Sequence, residues 1–244
     1  MREERGVSLL EVLFGAEQNL DDPASAHPAV YALQCALAAQ WASVGIRPHA
    51  VVGGGPGALA AAQVAGAISL EEGLRLAAAH GALEANPEGG ALGGLEAALA
   101  AVAPEAPSAS LVNGATGRVT ESVDEIRADY WRTQARDPVE PGACAKTLAQ
   151  LGIDIVIEVG ADAALGPDLG DAWPESSDAP MVLSTLACPP AEGASPETGD
   201  GFVSAVAAAY DAGLDLAFAG LFAGEARRRV ALPTYPFQRK RHWF

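Results

Sequence analysis

VVGGGPGALAAA, Val51 to Ala62, decides the fold. Two β-branched residues run into three glycines, a proline, a fourth glycine and an alanine-rich stretch. By propensity this is a short strand, a tight turn and the start of a helix. Pro56 suits a first helical turn, where its missing N–H is no loss. A strand passing through so tight a turn into a helix is the building unit of a parallel α/β sheet. Enzymes with a nucleophile elbow place a reactive side chain at the apex of such a turn. Gly53, Gly54, Gly55, Pro56 and Gly57 offer none.

The flanking sequence extends the same pattern. HPAVYALQCALAAQWASV, His27–Val44, predicts a helix with a broad apolar stripe, Pro28 in its first turn and Gly45 at its stop. RPHAVVGG is a short strand, and Gly57–Val64 a helix. Ser69–Leu83 is a helix opened by a capping box, Ser69 with Glu72 three residues on. Further helices are expected over Leu95–Val102, Asp124–Ala135, Gly142–Leu151 and Gly201–Ala212. Ala109–Val112 and Met181–Leu186 are expected strands. Ile153–Val159, IDIVIEV, is a nearly continuous β-branched run, as expected of a strand buried on both faces of a parallel sheet. Ala187–Asp200 is a Pro/Gly-rich loop. No internal repeat is present. The fold class is α/β with a mainly parallel sheet and flanking helices.

Composition narrows the function. Half of the 244 residues are hydrophobic, enough for a sizeable core. No apolar run reaches membrane-spanning length, and MREERGVSLLEVLFG lacks the pattern of a signal peptide, so a cytoplasmic location is expected. Cys35, Cys144 and Cys188 are scattered and odd in number, which suits a reducing compartment and forms no metal spacing. The net charge of −16 argues against nucleic acid as a partner. The end of the chain differs: Ala226–Phe244 holds six basic residues and no acid. A basic segment on an acidic body suggests docking, onto that body or onto a partner.

Several stretches carry a resemblance. SLLEVLFG, HPAVYALQCALAAQWASVGIRPHAVVGG, AGAISLEEGLRLAAAHGAL, SLVNGATGRV, DYWRTQARDPV and IVIEVGADAAL occur in the order of the acyltransferase domain of modular type I polyketide synthases. LPTYPFQRKRHWF closely resembles the segment that follows such domains and folds back over the neighbouring ketosynthase. The resemblance implies the large α/β-hydrolase-like subdomain, residues 1–222, and a C-terminal docking segment, 223–244. In that family the glycine turn reads Gly-His-Ser-X-Gly-Glu. Here its positions are Gly53, Gly54, Gly55, Pro56, Gly57 and Ala58, so the serine position is Gly55 and no acyl-enzyme can form there. The family's carboxylate-binding arginine lies 25 residues past the serine; His80 stands there and lacks the guanidinium fork. The chain runs from GGALGG, Gly89–Gly94, almost directly into LEAALAAVAPEAPSASLVNG, so the resemblance implies that the small ferredoxin-like subdomain and the Phe-His-Ser-like base motif are missing there. The opening strand with its Gly-Gln-Gly motif is missing as well.

What remains supports a non-catalytic scaffold, with no catalytic residue, metal or cofactor. The resemblance implies a ketosynthase partner, and an acyl carrier protein as a further one. Tyr235, Phe237, Gln238, Arg239, Arg241 and Trp243 are the expected interface residues, since aromatic and arginine side chains are common interface anchors. An alternative is acyl transfer or hydrolysis without a serine, at a non-covalent acyl-coenzyme A site on the glycine turn. His80 is then the sole candidate base, against its plainer role as a packing or solvated histidine. A dinucleotide loop at Gly53, Gly55 and Ala58 lacks the acidic residue such a site needs after its second strand. His27 is expected at a helix start, and His49 before a strand. Cys35 is expected on a packed helix face with no base to activate it.

Overall fold

The computed structural model describes residues 9–14, 20–87, 91–160, 165–186, 201–224, 226, 230–231 and 233. Along the chain these form α1 (Leu9–Phe14), α2 (Pro23–Ser43), β1 (Ala50–Gly53), α3 (Pro56–Val64), α4 (Leu70–Ala85), α5 (Ala91–Ala100), β2 (Ser110–Asn113), α6 (Ala128–Arg136), α7 (Pro141–Gln150), β3 (Ile155–Glu158), α8 (Leu165–Asp171), β4 (Met181–Ser184) and α9 (Gly201–Asp211). Single 3₁₀ turns occur at Val123–Glu125 and Phe218–Phe222.

The strands are all in parallel pairs. β1 pairs with β2, Val51 opposite Leu111, and β3 pairs with β4, Ile157 opposite Leu183. These are two separate ladders rather than one sheet. Three apolar clusters fill the space around them. One joins Tyr31 and Cys35 of α2 to α3, α4, Leu111 and Trp131. A second packs Trp41, Val44 and α9 on the Ile155/Ile157 face of β3. The third packs α7 and α8 on Ala50, Val52 and Val112.

Local chemistry explains the element ends. α2 starts four residues before the expected His27, because Asp22 caps it with a carboxylate that accepts from the Ala24 N–H, and Pro23 takes the first helical position. Pro28 therefore lies inside the helix, and His27 pairs with Glu84 at 3.1 Å instead of marking the helix start. The capping box at α4 is complete: Ser69 accepts from the Glu72 N–H at 3.2 Å, and Glu72 accepts from the Ser69 N–H at 2.7 Å. Glu72 also accepts from the Ala103 N–H at 2.8 Å, tying the end of the α5 segment to α4. Arg132 of α6 reaches Glu96 of α5 at 2.7 Å.

Two expectations need correction. The helix expected over Asp124–Ala135 is a 3₁₀ turn and then α6; the Ile126 N–H bonds back to Val123 and ends the turn before α6 begins. β3 is half-buried along its whole length, not buried on both faces, because only one of its edges is paired. The Ala187–Asp200 loop lies outside the described residues, as does the segment from Thr234 onward.

Candidate functional site

The glycine turn joins the end of β1 to α3. Gly55 is the residue before the helix, with φ 51° and ψ −127°. Positive φ with strongly negative ψ is costly for any side chain, and it is the strained conformation that exposes a residue at a strand-to-helix apex. A Cβ built at Gly55 meets nothing within 4 Å, so the apex opens into free space. Its neighbours are tight instead. A Cβ at Gly53 would strike the Gly57 carbonyl, and one at Gly54 would strike Val139, which covers the turn from the α6–α7 segment. The Gly57 N–H bonds to the Gly54 carbonyl at 2.9 Å and the Ala58 N–H to the Gly55 carbonyl at 3.1 Å. The turn is thus built to present Gly55, and Gly55 presents no side chain.

Gln34 of α2 is a neighbour that sequence reasoning did not pick out. Its amide lies 3.5 Å from where a Gly57 Cβ would be, and its Oε1 is buried without a hydrogen-bond partner. Nothing in the local sequence marks it, since it sits within an ordinary helical run 21 residues before Gly55.

His80 lies on α4 and is mostly buried. Burial, and then the nearby His27, hold its imidazole down to about 4, so it is neutral at pH 7. Its Nε2 has no hydrogen-bond partner. The group that acts on its charge is at the start of α2, not at the glycine turn. A neutral imidazole of such low basicity is a poor general base near pH 7 and cannot pair a carboxylate as an arginine does.

The two cysteines among the described residues show no activation. Cys35 is 7% exposed, and burial pushes its thiol up to about 11 despite the Tyr31 hydroxyl beside it. Cys144 is fully buried, its thiol raised by burial and by Glu140, with Sγ 3.3 Å from the Gly114 carbonyl. Neither is the thiolate a nucleophile requires. His49 precedes β1 and lines a shallow groove with Pro107, Ser110 and Glu121, at the end of the strands opposite the glycine turn. Among the described residues no cluster of His, Cys, Asp or Glu could hold a metal ion, and no helix is long and apolar enough to cross a membrane. Tyr235, Phe237, Gln238, Arg239, Arg241 and Trp243 lie outside the described residues.

The overall fold matches known structures. The acyltransferase domain from the second module of the salinomycin polyketide synthase superposes with a TM-score of 0.79 over 95% of this chain and 70% of that one, at 24% identity. The fold is that of polyketide synthase acyltransferase domains. A bacterial malonyl-CoA:acyl carrier protein transacylase, from Xanthomonas oryzae, shares the acyltransferase fold at a TM-score of 0.66 and 19% identity, over 86% of this chain and 87% of that one. Residues 1–98 match the acyl transferase domain family. Among curated proteins, the chain is 27% identical to the mycoketide-CoA synthase of Mycobacterium tuberculosis over 96% of its length, and 28% identical to the spectinabilin polyketide synthase protein NorA' of Streptomyces orinoci over 88%. It spans only 7% and 8% of those proteins. The first alignment runs over 306 positions against the 244 residues here, so that relative has residues inside the matched stretch with no counterpart in this chain.

Proposed function

We propose that this chain is a non-catalytic acyltransferase-like domain of a polyketide synthase, serving as a scaffold that docks a ketosynthase. The observation that carries the reading is Gly55. The backbone keeps the strained apex that a serine nucleophile would occupy, and the residue there has no atom that can attack a thioester. Three others support it. His80 stands where the resemblance places a carboxylate-binding arginine, and burial, with the nearby His27, keeps it neutral. Only α5 and a short connection lie between α4 and β2, the stretch where the resemblance places a small subdomain and base motif. The aromatic and basic residues from Tyr235 to Phe244 remain, as selection for docking would leave them.

The test of docking is binding of the full chain to a ketosynthase with its adjoining linker from the same synthase, measured by surface plasmon resonance. Tyr235→Ala and Trp243→Ala should each weaken the complex at least ~10-fold, as expected of interface anchors. Unchanged affinity in both would remove the docking role. A carrier protein would be a further partner, detected in the same way.

One observation favours a second reading. Open space beside Gly55 and an unpaired Gln34 oxygen leave room for a non-covalent acyl group at the turn. Direct transfer there would load a carrier protein without leaving an adduct on this chain.

A further inference from the structure

α5, ALGGLEAALA, is ten residues long and buries only Leu95 and Leu99. α3, one residue shorter, buries five. Gly93 and Gly94 lie within α5, although glycine is the poorest helix former after proline. Crowding does not require them: a Cβ built at either position meets nothing within 4 Å. A helix this short does not hold itself in water and depends on what it packs against. Among the described residues, no backbone bond runs from Ala91–Ala100 to another element. Leu95 and Leu99 enter the cluster that holds Leu76, Ile126 and Trp131, each of these three at most 1% exposed. The remaining tie is ionic. Arg132 of α6 donates to both Glu96 oxygens, from Nη2 at 2.9 and 2.7 Å and from Nε at 3.3 Å, while its Nη1 donates to Asp129 at 2.6 Å. All three side chains are at least 42% exposed, so salt screens these pairs. The chain just past α5 is held differently. The Ala103 N–H donates to Glu72 at 2.8 Å, and the Glu105 and Ser108 N–H groups donate to the Ala67 and Ala65 carbonyls at 2.9 and 2.7 Å.

From this contrast we infer that α5 is a strap: it lifts from the cluster as one unit while the rest of the domain stays folded, and the Glu96–Arg132–Asp129 ion pairs are its latch. The bonds at Ala103, Glu105 and Ser108 fix the pivot just past the helix. Lifting withdraws two leucines from the cluster that holds Ile126 and Trp131. Trp131 gains from it, because its Nε1 is buried without a hydrogen-bond partner and an open strap lets water in. Two levers set how often the strap opens. Salt favours the open form by screening the latch. Better helix formers at positions 93 and 94 favour the closed form.

The test is native-state hydrogen exchange on the full chain, comparing the amides of Leu95–Val102 with the buried amides of α4. The α5 amides should exchange at least ~10-fold faster, through an opening that hardly responds to low urea because it exposes little surface. Gly93→Ala combined with Gly94→Ala should slow them by ~10-fold or more and leave α4 unchanged. Arg132→Gln should speed them by ~2–5-fold relative to α4. Raising salt from ~0.05 to ~1 M should do the same to the unaltered chain and nothing further to Arg132→Gln. Four results would overturn the inference: α5 and α4 amides opening together with the same urea response; glycine replacements that slow α4 as much as α5, or slow neither; Arg132→Gln exchanging α5 no faster; and a full salt response that survives in Arg132→Gln.

Discussion

At Gly55 the backbone and the side chain carry opposite signals. A φ of 51° with ψ −127° is easy for glycine and costs any other residue about 1–3 kcal/mol. Gly55→Ser should therefore fold, since nothing lies within 4 Å of the new Cβ, and lose about that much stability in urea unfolding. It should also remain unacylated, because a hydroxyl without a positioned base is a weak nucleophile. Acylation of Gly55→Ser by an acyl-coenzyme A would show that a working base survives nearby. His80 makes a second prediction. Its value falls from an ordinary histidine near 6.5 to about 4 on folding, so the unfolded chain binds more protons between those limits. Stability is full above pH ~6.5, drops as pH falls toward ~4, and flattens below, by roughly 3 kcal/mol in all. His80→Leu should remove that part of the acid slope, read from urea midpoints at pH 4.5 and 7.5. An unchanged slope would mean that His80 is solvated. That Gly55 has no side chain to attack with was legible in the sequence, because residue identity alone gives it. The apex geometry and Gln34 were not, since they depend on which distant helix covers the turn.

At the scale of elements, local signals read well and long-range ones did not. The Ser69–Glu72 capping box was visible as a spacing and forms both of its bonds. The start of α2 was misplaced because Pro28 looks like a first-turn proline, while the true cap is Asp22. α8 was not expected at all: LGPDLGD carries two glycines and a proline in seven residues, and tertiary packing overrides that propensity. Leu169 of α8 is 1% exposed, and the Glu158 carboxylate accepts from the Leu165 N–H at 2.6 Å, a cap supplied by a side chain from β3. The joint between α2 and the β3–β4 ladder is similarly non-local. Trp41 Nε1 donates to Thr185 Oγ1 at 3.0 Å, and Thr185 Oγ1 donates to the Glu158 carbonyl at 2.7 Å. Thr185 is fully buried. Thr185→Val keeps the volume and leaves the Trp41 N–H unpaired, so it should cost about 1–3 kcal/mol. Trp41→Phe removes the bond and leaves a void, and should cost about 2–4 kcal/mol. If the joint acts as one unit, the double variant should cost less than the two together. Additive losses in urea unfolding would show that Trp41 contributes by packing alone.

For the whole molecule, fold class was legible because a strand, a glycine turn and a helix leave few alternatives to a parallel α/β sheet. The division of that sheet into two ladders was not, since strand partners carry no mark of which edge stays open. On the proposed reading, a domain that keeps an elbow backbone, buries both described cysteines and holds a neutral histidine has the acyltransferase fold without its chemistry. The central claim is that this chain carries no acyl group. Its most direct test is the intact mass of the protein after incubation with malonyl-, methylmalonyl- and acetyl-coenzyme A, with a carrier protein in a parallel reaction. The account predicts an unchanged mass for this chain and no acylated carrier above a control lacking it. An acyl adduct on this chain would contradict it and, once mapped, would locate a replacement nucleophile. Acylated carrier with no adduct would contradict it equally, in favour of direct transfer at the glycine turn.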